Sequence, residues 1–277
     1  MINETTLAFS NTTSLPITVT TSISQGQFTI SVILSILSMA FILYWIYGNT
    51  SFRIKERIVE NKLKKKTGRP TLFINHRMGS GMFGNVEMID EKTLLKITRF
   101  LSKHKEQEVN LVLHTPGGIV FHTQAIAHQL HTRSKKVHAY VPVYAMSGGT
   151  LLSLASHRLY IGKTAAIGPV DPQLGHFWAG YSTESHNKVV AAKGNKSEDT
   201  SIAFANEGNK CLVEIEADVK LFLQDKLRPS DVAAWTKKFT DGRYTHGKRF
   251  VYNDLKNDFR NIDVISDEDY DLLVKAL

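Results

Sequence analysis

The segment Tyr144-Ala-Met-Ser-Gly-Gly-Thr150 follows Thr115-Pro-Gly-Gly118 at the distance one βαβ crossover spans, and the two stretches contain the parts of an acyl-transfer site. Ser147 offers a hydroxyl that attacks a carbonyl carbon once a base takes its proton. The glycines offer backbone N–H groups that no Cβ screens, which a developing oxyanion requires. Gly118 and Gly148 are the expected oxyanion donors, and Gly117 permits the close approach.

The base is less legible. With eleven histidines in the chain, a Ser-His-Asp arrangement is one route. His114 precedes the glycine turn and His246 ends Gly242-Arg-Tyr-Thr-His246, but the sequence assigns neither a task. Asp171, in Gly168-Pro-Val-Asp-Pro-Gln173, reads as part of a rigid turn in the site wall before it reads as a group that orients a base. His122, His128 and His131 fall at irregular intervals along one helical stretch and read as surface or packing residues. No His-Glu-x-x-His, Cys pair or carboxylate cluster appears, so no metal is expected. No cofactor is expected either. Gly79-Ser-Gly-Met-Phe-Gly84 has the letters of a dinucleotide fingerprint without its helix or acidic partner, and reads as a flexible loop. The single Cys211 excludes a disulfide framework and reads as a packed small hydrophobe.

The elements that must position these residues alternate. Short apolar runs at 71–75, 109–113, 137–142 and 158–161 read as strands, and 91–103, 120–130 and 148–156 have helical spacing. Helices are also expected at 211–227 and 230–239, with 251–257 and 267–277 completing the domain; residues 192–208, polar and without period, read as a mobile loop. Repeated βα order implies an α/β parallel sheet with right-handed crossovers, and both glycine turns then lie at the carboxyl ends of strands.

The net charge of +8 is not spread evenly. Residues 51–69 hold eight Lys/Arg and two Glu, whereas residues 1–50 hold only Glu4. This excess beside an apolar run points away from nucleic acid. Residues 28–47 are uncharged and long enough to span a hydrocarbon core, with Tyr44, Trp45 and Tyr47 at the end where the cations begin. The organisation expected is an extracytoplasmic tail at 1–27, a transmembrane helix at 28–47, a basic juxtamembrane linker at 48–69 that meets lipid head groups, and a cytoplasmic catalytic domain at 70–277. A cleaved signal peptide would need a basic leader, a shorter core and a small-residue cleavage site. The sequons at Asn3 and Asn11 carry little weight.

Five ordered motifs resemble the serine dehydrogenase proteinase family, membrane-anchored proteins of the Clp protease/crotonase fold: His76-Arg77, His114-Thr-Pro-Gly-Gly118, Tyr144-Ala-Met-Ser-Gly-Gly-Thr150, Ile167-Gly-Pro-Val-Asp-Pro-Gln173 and Gly242-Arg-Tyr-Thr-His246. The resemblance implies a repeated ββα/βα superhelix, a homo-oligomer, and a peptide or protein substrate. More distantly the arrangement is similar to signal peptide peptidase A and to membrane proteases related to stomatin partners, which implies a Ser/Lys dyad. Lys188 lies where those relatives place their lysine, with Lys163 and Lys193 as rivals. An unperturbed lysine titrates near 10.4, so this base requires burial. The function expected is a membrane-anchored serine peptidase working through an acyl-enzyme. A non-catalytic scaffold of the same fold and a crotonase-like thioester enzyme are the alternatives. No cofactor signature supports the word dehydrogenase.

Overall fold

The computed structural model describes residues 25–76, 87–176 and 179–277. The sequons, Arg77 and the Gly79–Gly84 loop lie outside them. In chain order the elements are α1 (Gln25–Thr67), β1 (Thr71–Asn75), α2 (Glu91–Lys103), β2 (Val109–His114), α3 (Val120–His131), β3 (Val137–Val141), β4 (Tyr144–Ala145), α4 (Gly148–Ala155), β5 (Arg158–Ile161) and β6 (Ala166–Ile167). They continue with β7 (Gln173–His176), β8 (Ala179–Ser182), α5 (Thr183–Lys193), α6 (Asp199–Gln224), α7 (Pro229–Thr240), β9 (Phe250–Val251), α8 (Tyr252–Leu255), β10 (Ile262–Val264) and α9 (Asp267–Val274).

The main sheet has the order β1-β2-β3-β5-β10, and all its pairs are parallel. Its strands are nearly continuous apolar runs because both faces are covered. Alternate side chains serve different layers: Leu111 and Leu113 of β2 join Val137, Ala139 and Val141 of β3 in the larger core, while Val112 and Tyr140 join Phe73 in a smaller one. A second sheet, β4-β6-β9, has two short strands, β4 and β6, that directly follow β3 and β5 of the main sheet, and a third, β9, that comes after α7. Thr115, just after β2, bridges Ala145 of β4, so three successive passages of the chain each give a strand to the first sheet and a short segment to the second. This is an α/β fold with a parallel sheet, as expected.

The chain falls into two compact units, one ending at Ile54 and the other running from Lys55 to Leu277. In the first, every described side chain from 29 to 45 is exposed, Ile33, Leu37, Phe41 and Trp45 among them. Among the described residues no helix is long and apolar enough to cross a membrane. The side chains of the expected span 28–47 lie partly outside the description, at residue 28 and at 46 and 47.

In the second unit, residues 55–67 are helical and packed rather than a loose linker. Val59 and Leu63, one turn apart on α1, are buried with Phe73, Ile265 and Leu273, and Lys66 pairs with Glu268 and Asp269. The stretch 192–208 is likewise ordered, as the end of α5, a 3-10 turn at Gly194–Lys196 and the first turns of α6. Its contacts use small residues, with Ala205 and Gly208 buried and Gly208 against Thr183 and Leu174. Leu63→Ala is expected to lower the stability of the 55–277 unit by about 2–5 kcal/mol, as a buried leucine does. The urea midpoint reads this; a linker residue would shift it by less than about 0.5 kcal/mol.

Candidate active site

Ser147 stands between β4 and α4 with φ 49° and ψ −116°, the only described non-glycine residue at positive φ. These are the angles of the first central residue of a type II′ turn, a position that favours glycine. The Gly149 N–H closes that turn onto Met146 O at 2.7 Å. Ser147 is also the N-cap residue of α4, yet its side chain makes no capping bond. The hydroxyl is therefore not committed to the helix, and the first α4 amides meet it at a positive helix end.

The other turn is locked to this one. Met146 N–H donates to Thr115 O (3.0 Å) and Thr115 N–H to Tyr144 O (3.2 Å). Gly117 has φ 119°, and a Cβ there would lie 2.8 Å from Ser147 Cβ. Gly118 packs on the Ile89 backbone so closely that any side chain would collide with it. Ile89 N–H donates to Gly117 O and Ile119 N–H to Ile89 O, which leaves the Gly118 amide outside the turn's own bonds among the described residues.

A buried chain of hydrogen bonds, not anticipated from the sequence, braces that turn. Thr93 donates its hydroxyl to Asp90 Oδ1 (2.9 Å), so it accepts from His76 Nε2 (3.3 Å) and fixes the imidazole proton there. Nδ1 then accepts from the Thr115 hydroxyl (2.8 Å), whose oxygen accepts the Gly117 N–H (3.1 Å). Burial pushes the His76 pKa down, which keeps the ring neutral and this direction of donation intact. The His114-Thr-Pro-Gly-Gly118 letters held the threonine in plain view, but its partner His76 comes from the end of a neighbouring strand.

A cavity of about 540 Å³ opens on Ser147, Gly118 and Gly148. Its wall is apolar, with Ile119, Val120, Leu151, Val170, Leu174 and Ile215. Asp171 and His246 line the same cavity. The Asp171 side chain is 4% exposed and accepts the His246 Nδ1–H at 2.8 Å and Gln173 Nε2–H at 2.7 Å. A carboxylate only accepts, so the His246 lone pair is on Nε2. Val170, beside Asp171, is tied by its N–H to Phe239 O, and Lys248 N–H closes a turn onto Thr245 O around His246. Cys211 also lines the cavity, and burial pushes its thiol pKa up, away from a reactive thiolate.

The lysines are elsewhere. Lys188 lies in the middle of α5 with its side chain 74% exposed and paired with Glu184 at 3.4 Å, and it does not line the cavity. The burial that a lysine base needs is absent at this position. Lys163 is exposed and bound to Asp267 (2.9 Å), and Lys193 is exposed in the last turn of α5. His114 packs its ring on Tyr144 at 4.2 Å, outside the cavity lining. Among the described residues no group of three His, Cys, Asp or Glu converges as metal ligands.

Thr115→Val should leave both the Gly117 N–H and His76 Nδ1 unpaired, destabilising the fold by about 1–3 kcal/mol and lowering turnover by about 10- to 100-fold through a displaced turn. Thr115→Ser, which keeps the hydroxyl, is expected to restore both. Chemical denaturation and steady-state rates read the pair.

Residues 23–274 match the ClpP-like SDH-type serine proteinase family. An uncharacterised protein of Methanocaldococcus jannaschii is 31% identical over 220 residues, 76% of this chain and 75% of that one. A second protein of that organism is 28% identical over 212 residues, 74% and 70% of the two chains. Among solved structures, a serine-to-alanine mutant of the 1510-N membrane-bound stomatin-specific protease aligns with a TM-score of 0.46 at 17% identity, covering 68% of this chain and 79% of that one. The matched span takes in both glycine turns, Ser147 and the Asp171 and His246 segments, so the chain belongs to the ClpP-like SDH-type serine proteinase family and is a serine peptidase.

Proposed function

We propose that Ser147 is the nucleophile of a peptidase whose base is His246, oriented by Asp171. The observation that carries this reading is the 2.8 Å bond from His246 Nδ1–H to the buried Asp171 within the cavity that Ser147 lines. In this mechanism the Ser147 Oγ–C bond forms as His246 Nε2 takes the hydroxyl proton. The carbonyl oxygen becomes an oxyanion held by the Gly118 and Gly148 N–H groups. His246 then returns the proton to the leaving amine as the C–N bond breaks, and water hydrolyses the acyl-enzyme by the reverse sequence. Gly117 allows the approach of the two turns. A Ser/Lys dyad through Lys188 would need that side chain to leave Glu184 and water, so the base is assigned to the histidine.

The apolar wall argues for a peptide substrate with an apolar side chain beside the scissile bond. The anchor belongs to the same reading. A helix that exposes apolar side chains all round, followed at once by a Lys/Arg cluster, fits a single span with its N-terminus outside and the peptidase unit cytoplasmic, its basic turns facing anionic lipid. Assembly as a homo-oligomer rests on the fold's resemblance to Clp proteases.

A fluorophosphonate probe is expected to label Ser147 in the full chain, and Ser147→Ala to abolish the adduct in mass spectrometry. His246→Ala should slow labelling by about 100-fold or more, whereas Lys188→Ala should leave it within about twofold, as a surface change does. The reverse pattern would return the base to the lysine. Alkaline carbonate washing should leave the full chain in the membrane pellet and release a chain starting at Lys55; release of both would refute the anchor.

A further inference from the structure

A second cavity, of about 230 Å³, lies at the other end of α4 from Ser147. It is framed by the C-terminal end of α4, the starts of β3 and β5, and the residues that end α6. Its lining is cationic. Lys226 stands at its base, 3% exposed, and donates one N–H to Ser156 O, the carbonyl just past the end of α4. An ammonium has three N–H donors, and the other two have no partner among the described residues. Burying a cation so incompletely bonded is costly unless something else completes its shell.

The histidines around it leave matching openings. His138, 7% exposed, gives its Nε2–H to Glu108 at 2.9 Å, and its Nδ1 is buried with no partner among the described residues. His157 accepts the Val137 N–H on Nδ1 (3.1 Å), so its ring proton is on Nε2, which has no bond among the described residues. Lys136, His131 and Arg158 add basic groups to the rim; Arg158 is held by Asp263 and His131 stands 3.9 Å from Asp225. Asp225, the one carboxylate of the lining, keeps its side chain 72% exposed.

We propose that this cavity is a binding site for a small phosphate-class oxyanion, with Lys226 and His157 as its donors and Lys136 adding charge at the mouth. A phosphate suits the set because its oxygens can accept from Lys226 Nζ and His157 Nε2. The volume is below the 300–1,000 Å³ usual for drug-sized ligands, which favours the anion or a short monoester over a nucleotide. Burial brings the Lys226 pKa down to about 8, against the pull of Asp225. The His157 pKa is lowered by burial first, then by Lys226, His131 and His138. An anion relieves both the desolvation of the lysine and this mutual repulsion. The site is independent of the peptidase mechanism.

The test is isothermal titration of the full chain in detergent micelles with inorganic phosphate, at constant ionic strength set by chloride. Saturable binding is expected, weakened at least tenfold by Lys226→Met and severalfold by Lys136→Ser, the latter an exposed position where folding is not at stake. Because the protonated lysine holds the anion, affinity should fall as pH rises through about 8 in the wild type. Glycerol phosphate that competes extends the site to monoesters, and failure to compete confines it to the free anion. No heat above the chloride control with folded wild type, or binding unchanged by Lys136→Ser and by a folded Lys226→Met, would overturn the proposal.

Discussion

The site depends on holding a serine at φ 49°. A side chain in that region costs on the order of 1–3 kcal/mol and persists only where its surroundings leave no alternative. Here they leave none. The turn is closed by the Gly149 N–H to Met146 O, its entry is fixed by Met146 N–H to Thr115 O, and its exit is fixed by Leu151 N–H to Ser147 O. Gly117 presses on it from the neighbouring passage of the chain. A strained serine at a strand-to-helix turn recurs in hydrolases because it lifts the hydroxyl clear of the backbone while leaving the next N–H unengaged. In this protein the cost is offset by ties between two parallel passages, so neither turn keeps its shape without the other.

That mutual dependence explains what the amino-acid sequence revealed. The strands were legible because a sheet covered on both faces writes long apolar runs such as Val109-Asn-Leu-Val-Leu113, and the turns because only glycine fits at 117 and 118. Val59 and Leu63 were hidden in a run of lysines, since two buried residues one turn apart are all that a docked edge helix needs. The start of α6 was hidden for a similar reason: its buried positions are Ala205 and Gly208, which carry no apolar period. The proposed base was harder still. Asp171 and His246 are 75 residues apart and share no local pattern, and they meet because β9 returns antiparallel to β6 beside the turn that holds Asp171. Lys188, by contrast, had attractive spacing from Ser147, but distance along a chain says nothing about which face of a helix meets water.

Two acid-base pairs illustrate how environment sorts residues that sequence treats alike. Glu184 and Lys188 are a one-turn surface pair, solvated on both sides, and such pairs contribute little. Asp171 is almost entirely enclosed, so its charge has few other acceptors of its field and acts on His246 and Gln173. The imidazole, a third exposed, lines the cavity while its Nδ1 is fixed, as the proposed base requires.

Helix α4 connects these considerations to the far side of the sheet. It is only eight residues long and fully buried, and its peptide dipoles run from the Ser147 turn to Ser156. At its positive end the Gly148 N–H lies next to Ser147, where the proposed mechanism develops negative charge, and at its negative end the Ser156 carbonyl meets the Lys226 ammonium. Each end therefore has a partner of the sign it favours.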